Sequence, residues 1–291
     1  MNRQSYEEAH VVSAREEANA LLKPIAFIGG GIMGEAMIQG LVTKHLIDPT
    51  KIIVCEPRGE RREQLKQQRK VKVTSSNLDA TNSSTIVLSV KPQDLHKALS
   101  DLKGLLRPNQ LVVSIVAGAR IKTISDALTH SAVIRVMPNT PAQIGEGISV
   151  WTATPSVNKE QLTQAKTILR ALGKEVQVEE EKYLDMATAV SGTGPSYVFL
   201  VMEAMIDAAV HLGFARHVAY QLVTETMRGS ILYAMHSSKH PAELRNLVTS
   251  PGGTSAAALY QLEKGNLRTV ISRAIFAAYE RSKALGESDP H

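Results

Sequence analysis

Short runs of Ile, Val and Leu recur from Pro24 to about Glu181, and the segments between them repeat apolar residues every three or four positions. The runs are Ile25 to Ile28, Ile52 to Cys55, Val71 to Val73, Ile86 to Val90, Leu111 to Ile115 and Val133 to Val136. Strands this short and this continuously apolar are buried on both faces, which predicts a parallel sheet with helices on either side. Gly147 to Thr152 and Lys174 to Val178, flanking a helix at about Lys159 to Leu172, extend the same sheet. After Glu181 the period changes to that of helices. Val198, Val201, Met202, Met205 and Ala209 mark one, and Val218, Leu222, Val223, Met227 and Ile231 the next. A third begins near Gly253 and a fourth runs from about Leu267 to Leu285.

The predicted fold class is therefore α/β, a parallel-sheet domain over residues 24–181 followed by an all-helical domain over 182–286. Residues 1–23 form an appended helical arm. Faces rich in Ala and Met predict that the helical half pairs with a second copy; a self-contained bundle is the alternative.

Composition changes this picture little. In 291 residues, 43% hydrophobic and 21% charged describe a globular chain and exclude disordered, collagen-like and disulfide-scaffold classes. No unbroken apolar stretch approaches the roughly 20 residues of a membrane span. A single cysteine, Cys55, gives no sign of an oxidising compartment. The first residues carry Glu7, Glu8, Glu16 and Glu17 rather than a secretory signal, so a cytoplasmic protein without a membrane partner is expected.

Charge adds more. The net charge of +5 is matched by one segment, Arg58 to Lys72, in which seven basic residues face Glu60 and Glu63. It contains no aromatic residue, which argues against nucleic acid and for a small phosphorylated ligand.

Gly29-Gly30-Gly31-Ile32-Met33-Gly34 fits G-x-G-x-x-G directly after the first strand and opens a helix. Gly29 allows the tight turn, Gly31 lets backbone approach a pyrophosphate and Gly34 lets the helix pack closely, while the helix N-terminus offers free N–H donors. At the end of the second strand, Glu56 suits a ribose diol and hence NAD, whereas Arg58, Arg61 and Arg62 suit a 2′-phosphate. The concentrated positive charge favours NADPH, with NADH possible. Cys55 reads as a core residue rather than a reactive thiol.

Four further segments stand in order behind the glycine loop: Ser89-Val90-Lys91-Pro92; Met137-Pro138-Asn139-Thr140-Pro141; Ser191-Gly192-Thr193-Gly194-Pro195-Ser196-Tyr197; and Val248-Thr249-Ser250-Pro251-Gly252-Gly253-Thr254-Ser255. From about Pro24 to Leu285 the chain resembles pyrroline-5-carboxylate reductase. The resemblance implies a Rossmann domain, a helical dimerisation domain, hydride transfer from NADPH or NADH to a cyclic imine, and a homodimer or ring of dimers. It also implies cofactor contacts from Ile28 to Met33, Ser89 to Pro92, Asn77, Ile115, Val116, Ala117 and Asn139, and substrate contacts at Ser191 and Gly252 to Ser255. Helix capping competes for Asn77, and strand packing for Val116 and Ala117. The chain departs from the family at Ser255, where threonine is usual, in SGTGPSY where SGSGPAY is usual, and in the arm before Pro24.

An imine nitrogen is basic enough to be protonated before hydride arrives, so positioning is the chief catalytic effect and no strong acid is needed. The resemblance points to Thr188 as proton donor or orienter and to Glu181 as a substrate-side carboxylate. The competing roles are a helix cap for Thr188 and membership of the acidic run Glu179 to Glu181 for Glu181. For the substrate carboxylate, the turn Ser250 to Ser255 offers a helix N-terminus behind two glycines. A β-hydroxyacid dehydrogenase would need lysine and asparagine where Val198 and Val201 stand, leaving no base. A silent dinucleotide-binding homologue would not need Ser-Pro-Gly-Gly-Thr. His236 and His240 have i, i+4 spacing, but Pro241 interrupts the helix and no metal is expected.

Overall fold

The computed structural model describes residues 22–287, so the expected helical arm lies, apart from its last two residues, outside the described residues. The described residues form two compact units, 22–193 with 278–287, and Gly194–Ala277.

The first unit is built on eight strands: β1 (Ile25–Ile28), β2 (Ile52–Cys55), β3 (Lys72–Thr74), β4 (Thr85–Leu88), β5 (Leu111–Ser114), β6 (Val133–Met137), β7 (Gly147–Ala153) and β8 (Gly173–Gln177). Their order in the sheet is β3-β2-β1-β4-β5-β6-β7-β8. Neighbours are parallel except β6 and β7, which run antiparallel. The all-parallel expectation fails there because only a 3₁₀ turn, Thr140–Ile144, closed by Gly145 at φ +77, separates those strands. A parallel crossover needs a dozen or more residues, so the chain reverses instead.

Helices α1 (Ile32–Thr43), α2 (Gly59–Arg69), α3 (Pro92–Leu102), α4 (Ile121–Leu128) and α5 (Lys159–Arg170) connect the strands. Both faces of the sheet are covered. Ile25 and Phe27 of β1 join one buried cluster with Met37, Leu41 and Trp151, while Ala26 and Ile28 join another with Leu88, Leu99 and Ile124. Each fully buried large side chain contributes roughly 1.5–3 kcal/mol, which fixes the register that sets the strand ends side by side. After β8 come α6 (Lys182–Ala187) and a π turn, Thr188–Gly192, closed by the Thr193 N–H on the Thr188 carbonyl at 2.8 Å.

The second unit holds α7 (Gly194–His211), α8 (Arg216–His236), α9 (Pro241–Leu247), α10 (Thr254–Lys264) and the greater part of α11 (Leu267–Glu287). Its own core is small, Ile206, Ala219 and Val223 with Met202, Ala209, Val210 and Met227 against them. Phe199, Leu200, Leu212, Ile231, Met235, Tyr260 and Phe276 are exposed. The continuous helical run Lys182–His211 reaches a mean hydropathy of 1.2 over 18 residues, so by length and composition alone it is long and apolar enough to cross a membrane. Counting unbroken apolar residues along the sequence does not find it.

Candidate active site

The carboxyl ends of β1, β2, β4 and β5 are aligned by register, Ile28 with Cys55 and Leu88, and Leu88 with Ser114. The loops leaving those strands therefore share one edge of the sheet, the edge where doubly wound folds bind ligands.

The three glycines of the first loop differ in what surrounds them. Gly29 has φ +96, and its N–H reaches the Cys55 carbonyl at 2.8 Å. A Cβ on Gly34 would lie 2.9 Å from both the Gly29 carbonyl and the Ser89 hydroxyl, so close packing requires glycine there. At Gly31 the nearest atom to an added Cβ is 4.0 Å away. The protein itself does not demand a glycine at Gly31, so the open space fits the close approach of a phosphate. Gly31 is also the N-cap of α1 and brings no side chain to its first N–H groups, which stay free for an anion. This loop and helix terminus fit a dinucleotide.

Glu56, 3% exposed, does not face the open edge. Its Oε2 accepts from the Gly30 N–H at 3.0 Å, and its Oε1 from the Arg58 Nε at 2.7 Å and the Arg58 N–H at 3.2 Å. Burial opposes ionisation, but these bonds from Arg58 and Gly30 outweigh it and hold the carboxyl below its ordinary range. The arginines behind it divide. Arg61 bonds the Gly30 carbonyl at 2.8 Å and pairs with Glu35, which also holds Arg69. Arg62 bonds the carbonyls of Glu56 and Pro57. Only the Arg58 side chain, at 68% exposure, keeps most of its guanidinium toward solvent.

Ser89 braces the loop, its hydroxyl donating to the Gly29 carbonyl at 2.8 Å and its N–H to the Ile28 carbonyl at 2.9 Å. Lys91 is exposed and caps α3, with Pro92 at the first helical position. Asn77 opens a 3₁₀ segment capped by Ser76, and its amide donates to Asp101 at 2.9 Å. Ile115 bonds the Leu88 carbonyl through its N–H, Val116 is buried, and Ala117 is half-buried. Asn139 accepts from the Ile148 N–H at 2.9 Å and donates to the Ser191 carbonyl at 3.2 Å, tying the β6–β7 turn to the π turn. Burial pushes the Cys55 thiol up to about 12, a core residue rather than a nucleophile.

Thr188 opens the π turn, and its hydroxyl donates to the Leu184 carbonyl at 2.7 Å. The Ser191 hydroxyl donates likewise to Ala187 at 2.9 Å. Glu181 pairs with Arg135 at 2.8 Å and accepts from the Ile121 N–H at 2.8 Å. In the second unit Gly252 has φ +67, and Gly253 caps α10 without any side-chain bond, leaving the N–H groups of Thr254 and Ser255 without an intrahelical acceptor. His236 bonds the Leu232 carbonyl and His240 caps α9, so neither ring is arranged with the other around a metal; the described residues hold no group of three such ligands.

A family profile described as pyrroline-5-carboxylate reductase dimerisation matches residues 181–285, and one described as NADP oxidoreductase, coenzyme F420-dependent, matches 24–118. The pyrroline-5-carboxylate reductase of Synechocystis sp. is 41% identical over 265 residues, covering 90% of this chain and 98% of that one. The chain belongs to the pyrroline-5-carboxylate reductase family.

Solved members share its fold. The Coxiella burnetii pyrroline-5-carboxylate reductase has 35% identity and a TM-score of 0.83 over 90% of this chain and 98% of its own. The Plasmodium falciparum pyrroline carboxylate reductase, described with NADP bound, has 32% identity and a TM-score of 0.84 over 91% and 98%. Among the features near the site, the π turn at Thr188 and Arg135 on β6 escape sequence reasoning. The second left a signal, since a lone arginine inside the apolar run Val133–Met137 must find buried partners.

Proposed function

We propose that this chain reduces the C=N bond of 1-pyrroline-5-carboxylate to give L-proline, using NADPH. The observation that carries the reading is 41% identity with a pyrroline-5-carboxylate reductase across 98% of that protein's length. When bound, the dinucleotide supplies the hydride.

The chain's own residues bind and orient. Gly29 to Gly34 with the start of α1 hold the pyrophosphate, Arg58 meets the 2′-phosphate, and Ile115 to Ala117 with Ser89 to Pro92 line the nicotinamide side. Thr188 orients the imine nitrogen. Because its hydroxyl proton is directed at the Leu184 carbonyl, the oxygen's lone pairs are available to accept the N–H of an already protonated imine. That supports the orienter over the proton donor. The N-terminus of α10 takes the substrate carboxylate, with Thr254 and Ser255 adding hydroxyl donors. The exposed apolar faces of α7, α8 and α10 pair with a second copy in a homodimer that can build larger rings, and the cytoplasm suits a chain with one buried thiol.

The test is loss of NADPH absorbance with pyrroline-5-carboxylate, repeated with NADH and with a β-hydroxyacid plus oxidised cofactor. Turnover only with the β-hydroxyacid, or none with any, overturns the reading. Sedimentation at micromolar concentration giving one species near 31.6 kDa overturns the dimer.

A further inference from the structure

Arg135 is a buried cation in the middle of a buried strand, its side chain 5% exposed and its backbone paired with Ser114 of β5 on one side and Thr152 of β7 on the other. A guanidinium so placed must be matched by charge and hydrogen bonds. One Nη meets Glu181 at 2.8 Å and the other meets Asp185 at 3.2 Å. These two acids flank the first turn of α6 at i, i+4 spacing and so share one face of it. Each carboxylate oxygen that meets Arg135 also accepts a second bond. Glu181 Oε1 takes the N–H of Ile121, the first residue of α4, at 2.8 Å, and Asp185 Oδ1 takes the Ser282 hydroxyl at 3.1 Å. The cluster borders a cavity of about 190 Å³ whose wall includes Lys182 and Lys283.

We propose that Arg135 is a positioning residue for hydride transfer, holding the helix that ends at Thr188 in register with the loop that carries Ile115 to Ala117. The inference rests on the reading of Thr188 and Ala117 given under Proposed function. Glu181 is the joint between the two segments, since one of its oxygens binds both the loop's exit at Ile121 and the arginine. α6 leads directly into the π turn that opens at Thr188, so where Glu181 is held sets where that turn begins. The chain from that anchor to the hydroxyl is short: Glu181 precedes α6, Leu184 lies within it, and the Leu184 carbonyl takes the Thr188 hydroxyl. Gly118, in the same loop, lies where an added Cβ would stand 3.2 Å from the Leu285 Cβ, so the far end of α11 backs the loop while Ser282 reaches Asp185. A buried ion pair is weak as a stabilising device, because well-packed apolar residues often do as well. Its directional geometry is what this arrangement uses. On this account the Glu181 carboxylate acts through Arg135 and Ile121 and not by touching substrate.

The experiment compares wild type with R135K, E181Q and the double variant, measuring kcat, both KM values, NADPH affinity by fluorescence and the isotope effect of deuterated NADPH. Lysine cannot bridge two carboxylates as a fork does, and a displacement on the order of 1 Å in the reacting pair costs on the order of a hundredfold in rate. The expected result is a kcat lowered by at least about tenfold in each single variant, an isotope effect on kcat larger than wild type, and NADPH affinity within about twofold. The double variant should be no worse than the worse single one, because both changes open the same joint. D185N, which keeps the shape of the acceptor, and S282A, at the far end of the cluster, carry the same expectation at smaller size should R135K not fold. Wild-type kcat in R135K or in D185N overturns the proposal, as do losses in R135K and E181Q that multiply in the double variant, which would make Glu181 an independent substrate contact. Absence of turnover in the wild type fails the underlying reading; an active wild type with an unaffected R135K fails this inference alone.

Discussion

The carboxylate of Glu56 accepts the N–H of Gly30 at 3.0 Å, joining the end of the second strand to the glycine loop across 26 residues of sequence. An acid at this place in a doubly wound fold often takes the adenosine ribose. Here both its oxygens are occupied within the protein, one by Gly30 and the other by Arg58. The acid has become a buckle for the loop, and the cation beside it is the group left facing solvent.

Cofactor choice should therefore depend on Arg58 far more than on its neighbours. R58A is expected to raise the KM for NADPH at least about tenfold and leave NADH nearly unchanged, since a hydrogen bond to a charged group is worth about 1.5–3 kcal/mol. R61A should weaken both cofactors alike, because Arg61 holds the Gly30 carbonyl and Glu35 rather than open space. Steady-state kinetics with each cofactor distinguishes the two. An R58A enzyme impaired equally with NADPH and NADH would remove Arg58 from the phosphate site.

Glycine replacements in one loop should separate folding from binding. G34A forces a Cβ to 2.9 Å from the Gly29 carbonyl and the Ser89 hydroxyl, so it should lower the melting temperature. G31A meets nothing closer than 4.0 Å and should fold like wild type while losing NADPH binding. Calorimetry beside a fluorescence titration reads both. Full NADPH affinity in G31A would mean that the pyrophosphate does not approach that backbone.

How far the sequence could be read depended on whether a feature was local. The run Ile25 to Ile28 followed by G-x-G-x-x-G carries strand, turn and helix within ten residues, and the structure matches it. The direction of β7 was not legible, because Gly147 to Thr152 looks alike whether it runs with or against β6. Pro241 read as an interruption; it does follow the end of α8, yet it also opens α9 with His240 as cap, a second helix too short to show a period. Glu181 read as a substrate-side carboxylate while its partner Arg135 lay 46 residues away, a pairing that only folding reveals. Charge alone groups Arg61 and Arg62 with Arg58, and nothing in the sequence shows that Glu35 and backbone carbonyls occupy them.

Stability should rise with pH across the acid range, and Glu35 gives the clearest handle. Burial works against its ionisation, but hydrogen bonds and charge from Arg61 and Arg69 prevail and hold its carboxyl below the ordinary range. A depressed folded value means that the unfolded chain binds more protons. The stabilisation is thus fully present above the unfolded value of about 4.3 and is lost as pH falls through the folded one. The urea midpoint measured from about pH 3 to pH 6 should climb less steeply in E35Q than in wild type. Parallel curves would show that Glu35 titrates alike in both states.

The substrate carboxylate is expected at the start of α10, and the structure decides which variants can test that placement. Gly253 is a poor choice, because any Cβ there would lie 2.4 Å from the Ser250 hydroxyl, so a bulky replacement disturbs the turn before it could obstruct a ligand. Thr254 and Ser255 are better: the N-cap supplies no side-chain bond, and the first N–H groups of an eleven-residue helix stand without intrahelical acceptors. A helix N-terminus with two or three such donors suits a small carboxylate without a dedicated arginine. Removing one hydroxyl takes away a single bond worth about 1 kcal/mol, or somewhat more toward a charged partner. S255A should therefore raise the KM for pyrroline-5-carboxylate roughly fivefold or more, and S255T, which restores the residue usual in the family, should leave it near wild type. NADPH affinity should stay the same in both, since the proposed pyrophosphate and 2′-phosphate contacts lie on Gly29 to Gly34 and Arg58. A substrate KM unchanged in S255A and in T254A alike would place the carboxylate somewhere other than this helix terminus.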